Sequence, residues 1–519
     1  MNFEKAAGWC FACAVAAACA CESWRLPALA FGADDGSRPV LATRRAVERF
    51  VPRGERVTLL RVDRADNPSQ VCRQIFLSVA WAAGAGNVEE KRELDGNERY
   101  VVTAPFPAAL SSLAGNPRYR EHSDSESGRV WIRDDAPFAV TANDDGEGLR
   151  HIRGAGIAAV ARECGDWREA LGLVVPALLA LAMLAAGLGR MPSRTALLAA
   201  AAVFLPSAMF ALSHTFAGPC GTGVFGGRAR AFVESGCSLA TLADPKMGEY
   251  FQAAYPPLQT LVTAAGYIVA GSCGDWLTQL APCLFAAAAA VFLASRTTGI
   301  ARLWLALLFL TPVALMTTGQ FYPEPLMALG VLVGWERVRD GQFGGWLLLG
   351  AAGWFKNEGL MFLFAAWLAW RIVAGADHAR LRDLAAAMVL PLAWHVGCRL
   401  AGASLNDYVA PWRLSPLRGL RALLESLRLA FARSWHYGFA YPAALVAILI
   451  PSIRRKARPL LAALLFTAFS VAFFCLAYAC STADEAWHLS TSLPRLLWMP
   501  ALILAREVAA ICKRNGNGL

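Results

Sequence analysis

Charge is scarce in this chain: Asp, Glu, Lys and Arg make up 17% of its 519 residues, against 56% hydrophobic residues and 17 Trp. That scarcity excludes an ordinary soluble domain, in which about a quarter of residues are charged. Basic residues outnumber acidic ones by 49 to 39, a net charge of +10. No basic patch gathers them, which excludes a nucleic-acid interface. Internal repeats and low-complexity segments are also missing, and no inverted half marks a secondary transporter. Cysteine is plentiful at 14 residues, but Cys10, Cys13, Cys19, Cys283, Cys398 and Cys475 lie in apolar runs, where Cys behaves as a small hydrophobe. Cys10-x-x-Cys13 is therefore a weak metal or redox signal.

Long apolar runs are what the chain does have. The clearest are Leu171–Leu188, Ala196–Leu212, Leu303–Thr317, Leu360–Val373, Leu384–Val396, Tyr441–Ile450, Leu460–Ala479 and Leu496–Ala510. Shorter or interrupted ones are Leu258–Ala270, Leu280–Leu293, Leu326–Trp335 and Trp346–Trp354. Helices of roughly 20 apolar residues cross a hydrocarbon core about 30 Å thick. The expectation is an α-helical polytopic membrane protein with about 11–12 passages.

Residues 1–30 hold the short apolar stretch Ala6–Cys21 behind Lys5, readable as an anchor or as a signal-like segment. Residues 31–167 turn polar around β-like runs Val57–Val62 and Tyr100–Thr103 and a helix-like Gln70–Ala83, which reads as a small α/β domain. Residues 168–519 form the membrane domain. With Arg190-Met-Pro-Ser-Arg194 and the turns 336–340, 371–383, 454–458 and 512–514 placed inside by their Arg and Lys, the α/β domain lies outside. The loops 213–255, 403–437 and 481–494 and the short segments 320–325 and 355–359 then lie outside too. Cys220 and Cys237 fall in the first of these loops, where a disulfide is chemically permitted and the spacing leaves the pairing open. Residues 256–295 fit this parity as one broken or re-entrant passage interrupted at Gly271–Gly274.

The polar residues that can carry chemistry share this outer face. The first loop holds Arg228, Glu234, Asp244 and Glu249 and ends in Tyr255-Pro256-Pro257-Leu258. Tyr322-Pro323-Glu324-Pro325 puts a carboxylate at a helix start, where it can complement the dipole, orient an acceptor or hold a divalent cation. Lys356-Asn357-Glu358-Gly359 places charges between two apolar runs, a position that is costly unless paired or functional. Leu417–Ser434 sets Arg418, Arg421 and Arg428 against leucines at helical spacing, as in an interfacial helix. The segment from Asp484 to Arg495, with His488 inside it, gathers acid, imidazole and guanidinium before the last helix.

Arg228-Ala-Arg-Ala-Phe232, Tyr255-Pro-Pro-Leu258, Tyr322-Pro-Glu324-Pro-Leu326, Lys356-Asn-Glu-Gly359 and Trp487 through Arg495 occur in this order from Leu171 onward. Together they resemble the GT-C superfamily, in particular bacterial membrane glycosyltransferases akin to protein mannosyltransferases and aminoarabinose transferases. The resemblance implies transfer of a sugar from a polyprenyl-phosphate donor to a glycan, lipid or protein acceptor at the periplasmic or outer face of an inner (plasma) membrane, in some members with Mg²⁺ or Mn²⁺. It implies catalytic roles for Glu324 and a first-loop acid, Glu249, Asp244 or Glu234, and substrate contacts from Lys356, Glu358, Arg228, Tyr255, Tyr322, His488 and Arg495. The chain departs from the family pattern at Cys220, which stands where an early first-loop acid is usual. A thiol is a poor substitute for a carboxylate. That departure keeps open a catalytically degenerate binding or scaffold subunit, while the outward clustering argues against a transporter of lipid-linked saccharides.

Overall fold

The computed structural model describes residues 168–189, 191–213, 225–242, 255–271, 278–319, 321–401, 414–450, 458–481 and 485–516, together with Val47, Val51, Glu55, Trp412 and five short strands between Val57 and Arg133. The described part of the chain is mostly helical.

The strands form one mixed sheet in the order β2-β1-β3-β5-β4: β1 Val57–Leu60, β2 Val88–Lys91, β3 Tyr100–Thr103, β4 Tyr119–Glu121 and β5 Arg129–Arg133. β1 runs parallel to β2 and β3, and β5 runs antiparallel to β3 and β4. The two strands expected from alternation, at residues 57 and 100, are therefore neighbours in register, Val57 opposite Tyr100. The helix expected at Gln70–Ala83 lies outside the described residues.

The stretch Ala6–Cys21 lies outside the described residues, while every apolar run named above from Leu171 onward falls on helix. In chain order these are α1 Val174–Leu188, α2 Arg194–Ser213, α4 Leu258–Ala270, α5 Ala281–Arg296, α6 Ile300–Leu307, α7 Pro312–Gly319, α8 Glu324–Arg339, α9 Gly344–Phe355, α10 Glu358–Ala374, α11 Leu381–Leu400, α13 Ala440–Leu449, α14 Arg458–Ala479 and α16 Leu493–Gly516. Three more come from the loops: α3 Gly227–Glu234, α12 Pro416–Leu427 and α15 Glu485–Thr491.

Among the described residues, three helical stretches are long and apolar enough to cross a membrane: Glu169–Leu188, Arg194–Leu212 and Arg458–Ala479. The run Leu303–Thr317 is broken rather than continuous, because Pro312 opens a new helix; Ile300–Leu310 and Pro312–Gly319 meet at 53° and make a fourth span if taken together. The other apolar helices are shorter. The three long ones expose much of their apolar surface, with Leu178, Leu181, Leu198, Leu205 and Leu476 all more than half exposed. A stable helix hydrophobic on its outward face needs a lipid-like surround.

The core is centred on α5 and α8. Alanines 286–290 of α5 are all buried and let α1, α2 and α8 pack closely against it. α8 crosses α9 where Gly334 and Gly345 meet; a Cβ at Gly345 would stand 2.5 Å from the Val338 nitrogen. Glycine is required there by contact rather than by conformation.

Within the segment 256–295, α4 ends in left-handed Gly271 and α5 begins at Ala281 with packing partners of its own; the rest of the expected break, through Gly274, lies outside the described residues. The interfacial helix expected over Leu417–Ser434 is α12, followed by a wider π turn at Arg428–Ala432. It lays Ala422 and Ser426 against α14 and leaves Leu417, Leu420, Leu424 and Leu427 exposed on its other side.

Candidate functional site

Glu324 begins α8 because Pro323 and Pro325 flank it: a proline at the first turn loses no helical hydrogen bond and fixes φ. The residue three before it, Phe321, has φ of 58° and is buried with Phe225 and Ala281, so packing holds the backbone in a conformation that L side chains rarely adopt. That anchored turn fixes where the Glu324 carboxylate emerges.

Glu324 is fully buried, and one of its oxygens is bound by two cations. Lys356 Nζ donates to Oε1 at 3.1 Å and Arg495 Nη1 donates to the same oxygen at 2.9 Å. The second oxygen, Oε2, is buried and makes no hydrogen bond. Lys356, 3% exposed, also pairs with Glu358 at 2.9 Å. Arg495, 7% exposed, donates from Nε to the Thr491 carbonyl at 2.7 Å and lies over the Tyr322 ring at 3.8 Å, a cation–π contact. The formal charges of Glu324, Glu358, Lys356 and Arg495 cancel, which is what makes a buried cluster of this size tolerable.

The local sequence builds this from three helix ends. Lys356 follows α9 in extended backbone and α10 begins at Glu358, so the Lys-Asn-Glu-Gly turn throws both charges toward α8. Gly359 lets that turn fold back tightly: a Cβ there would stand 2.1 Å from the Ala352 carbonyl. Arg495 comes from the first turn of α16, 171 residues from Glu324.

His488, on α15 beside the cluster, shares a hydrogen bond of 2.9 Å between its Nδ1 and the Ser481 hydroxyl and packs its ring 4.7 Å from that of Tyr478. Burial pushes its pKa down to about 4, with the opposing pull of Glu358 offset by the cations Lys356 and Arg495, so it is neutral at pH 7. α15 is held from outside by Glu485, which Arg421 of α12 meets at 2.9 Å.

Arg228 of α3 is 1% exposed and donates from Nη2 to the Tyr255 carbonyl at 3.0 Å, while its Nε and Nη1 are buried without partners. Tyr255 stacks on Phe225 with ring centroids 6.0 Å apart, and both pack with Phe321. Arg228 and Tyr255 thus sit one aromatic cluster away from Glu324 rather than in direct contact with it. Of the expected site residues, Glu324, Lys356, Glu358, Tyr322 and Arg495 come together, with His488 beside them. Asp244, Glu249 and Cys220 lie outside the described residues; Cys237 is an exposed free thiol.

A second ion cluster, not anticipated from sequence, ties the other ends of the same two helices. Glu336 of α8 pairs with Arg506 of α16 at 2.6 Å and with Arg339 at 2.5 Å, and Trp335 Nε1 donates to Glu507 at 3.0 Å. Arg506 and Glu507 inside the last apolar run were the visible signal. Glu324 to Glu336 spans 12 residues and Arg495 to Arg506 spans 11, so α8 and α16 run parallel in matched register. The clusters are about 18 Å apart along the helices, less than a hydrocarbon core of about 30 Å. In a bilayer, at least one of them sits below the interface.

Among the described residues no three His, Cys, Asp or Glu side chains gather as metal ligands. Glu324 is already neutralised by two cations, so the described donors do not fit a divalent ion. Compared with protein-family models, with curated proteins and with solved structures, the chain finds no match in any of the three.

Proposed function

We propose that this chain is a polytopic membrane glycosyltransferase that moves a sugar from a polyprenyl-phosphate donor to an acceptor at the Glu324 end of the bundle, on the extracytoplasmic side of an inner membrane. The observation that carries the reading is the convergence of Glu324, Lys356 and Arg495, from three separate helix ends, on one buried oxygen beside Tyr322 and Glu358. Two fixed cations in a site shielded from water are what a departing phosphate requires.

In this reading the acceptor hydroxyl oxygen attacks the anomeric carbon. The bond from that carbon to the phosphate oxygen breaks, and polyprenyl phosphate leaves with the electron pair. Lys356 and Arg495 meet its charge: an ammonium offers three donors and a guanidinium five, in the fork that suits phosphate. Glu324 between two cations is a better anchor than a base, so its role is to hold them and to offer Oε2 to an acceptor hydroxyl. The base that takes the hydroxyl proton is assigned to a first-loop carboxylate, Asp244 or Glu249. His488, neutral and tied to Ser481, stands beside the cations.

A second reading is favoured by the burial of the cluster, which leaves its polar groups closed off. On that reading the ions only clamp α8, α10 and α16, and the chain is a binding or scaffold subunit. Proteoliposomes loaded with radiolabelled polyprenyl-phosphate sugars, with and without Mg²⁺ or Mn²⁺, separate the two. Label leaving the lipid in the wild type and not in Glu324→Gln supports transfer; label that never leaves while donor stays bound supports the binding subunit.

A further inference from the structure

At the opposite end of α9 from Lys356 lies a cavity of about 720 Å³. α9 has 12 residues, so the cavity is about 18 Å along the helix from the Lys-Asn-Glu-Gly turn and is a separate site. Phe343 and Trp346 wall one side, and Asp377, His378, Arg380, Arg382 and Asp383 from the α10–α11 connection form the other.

We infer that this cavity binds the headgroup of a zwitterionic phospholipid, a phosphate beside a primary ammonium. The charges carry the argument. Arg380 and Arg382 are matched by Asp377 and Asp383, so the lining sums to zero with both signs present; a plain anion or a plain cation would meet an unmatched charge of its own sign. Arg382 holds Asp383 only loosely, at 3.7 Å, and Arg380 uses Nε to reach the Asp377 carbonyl at 3.1 Å. α11 starts here without a side-chain cap, so its open N–H groups add to the attraction for phosphate. His378 Nε2, in the lining, is buried without a hydrogen-bond partner, a polar atom that a headgroup would satisfy.

The surroundings select a lipid over a free small molecule. Phe343 in the lining, and Leu347, Ile372, Leu381 and Val389 on the helices α9, α10 and α11 that contribute to it, are all at least 44% exposed, apolar surface for acyl chains on the elements that carry the polar pocket. The volume is within the range of built ligand sites, about 300–1,000 Å³.

The test uses the full chain in nanodiscs of phosphatidylcholine doped with dioleoyl phosphatidylethanolamine or dioleoyl phosphatidylglycerol, with retained lipid counted by native mass spectrometry after release into detergent. Wild type is expected to retain phosphatidylethanolamine over phosphatidylglycerol. The double variant Arg380→Gln, Arg382→Gln is expected to weaken retention roughly 30-fold, at about 5-fold per arginine near an interface. Asp377→Asn, at an exposed position, should erase the preference over phosphatidylglycerol while the melting temperature stays unchanged. Displacement by millimolar O-phosphoethanolamine would support the same headgroup chemistry taken from a soluble source. Equal retention of both lipids by wild type, or retention unaffected by the arginine changes, overturns the inference.

Discussion

Replacing Glu324 with Gln removes one charge and leaves the shape intact, and its consequence follows from what remains. Lys356 and Arg495 stay buried, and each loses the partner on Oε1. Breaking a buried ion pair by removing one partner costs about 3–5 kcal/mol, most of it from the charge left behind. Lys356 keeps Glu358 at 2.9 Å, and Arg495 keeps the Thr491 carbonyl and the Tyr322 ring, which puts the loss at the low end. At roughly 2 °C per kcal/mol for a domain of this size, a loss of about 3 kcal/mol lowers the melting temperature by about 6 °C. The assay is thermal unfolding in detergent followed by tryptophan fluorescence. Adding Lys356→Met to Glu324→Gln returns the cluster to zero net charge, leaving Glu358 against Arg495, and is expected to recover part of the loss, a positive coupling of at least 1 kcal/mol in the double-mutant cycle. A Glu324→Gln protein that melts within about 1 °C of wild type would refute the buried-triad reasoning.

Other perturbations test separate links. Gly359→Ala pushes a methyl into the Ala352 carbonyl and should destabilise by about 1–3 kcal/mol, checked by the same melts; full stability would mean that the turn is not tightly closed. Falling pH should destabilise the fold through His488: with its folded pKa near 4 against an unfolded value near 6.5, the unfolded chain alone takes up a proton below about pH 6.5. Stability present at pH 7 is therefore lost toward pH 4, by on the order of 2 kcal/mol, and His488→Gln should flatten that part of the profile. Arg421→Gln breaks only an exposed pair with Glu485 and should shift stability by less than about 1 kcal/mol; a larger loss would show that α12 clamps α15 more firmly than surface pairs do.

Local physics made the helices legible. An apolar run long enough to bury or to face lipid has few alternatives to helix, and each such run from Leu171 onward is helical. Pro312 was visible as well, but the unbroken apolar composition of Leu303–Thr317 masked the break that it imposes. The outer cluster was legible as a set of motifs and not as a geometry: Glu324, Lys356 and Arg495 stood out as charges in apolar surroundings, while their meeting at a single oxygen depends on how α8, α10 and α16 pack. Arg228 and Tyr255 were grouped with them by motif order, yet packing sets them behind Phe225 and Phe321. Arg506 and Glu507 stood out as charges in an apolar run, but their partners on α8 follow only from packing, as does the cavity at Trp346, which joins the α8–α9 turn to the α10–α11 connection.

The central claim is that Lys356 meets a departing phosphate. The most direct measurement is the rate at which label leaves a polyprenyl-phosphate sugar in proteoliposomes, compared between wild type and Lys356→Met at a temperature where melts show both to be folded. Removing one preorganised donor to a developing charge should slow release by about 10²–10³-fold with donor binding retained. Equal rates in the two proteins would contradict the account and leave the cluster as a clamp between helices.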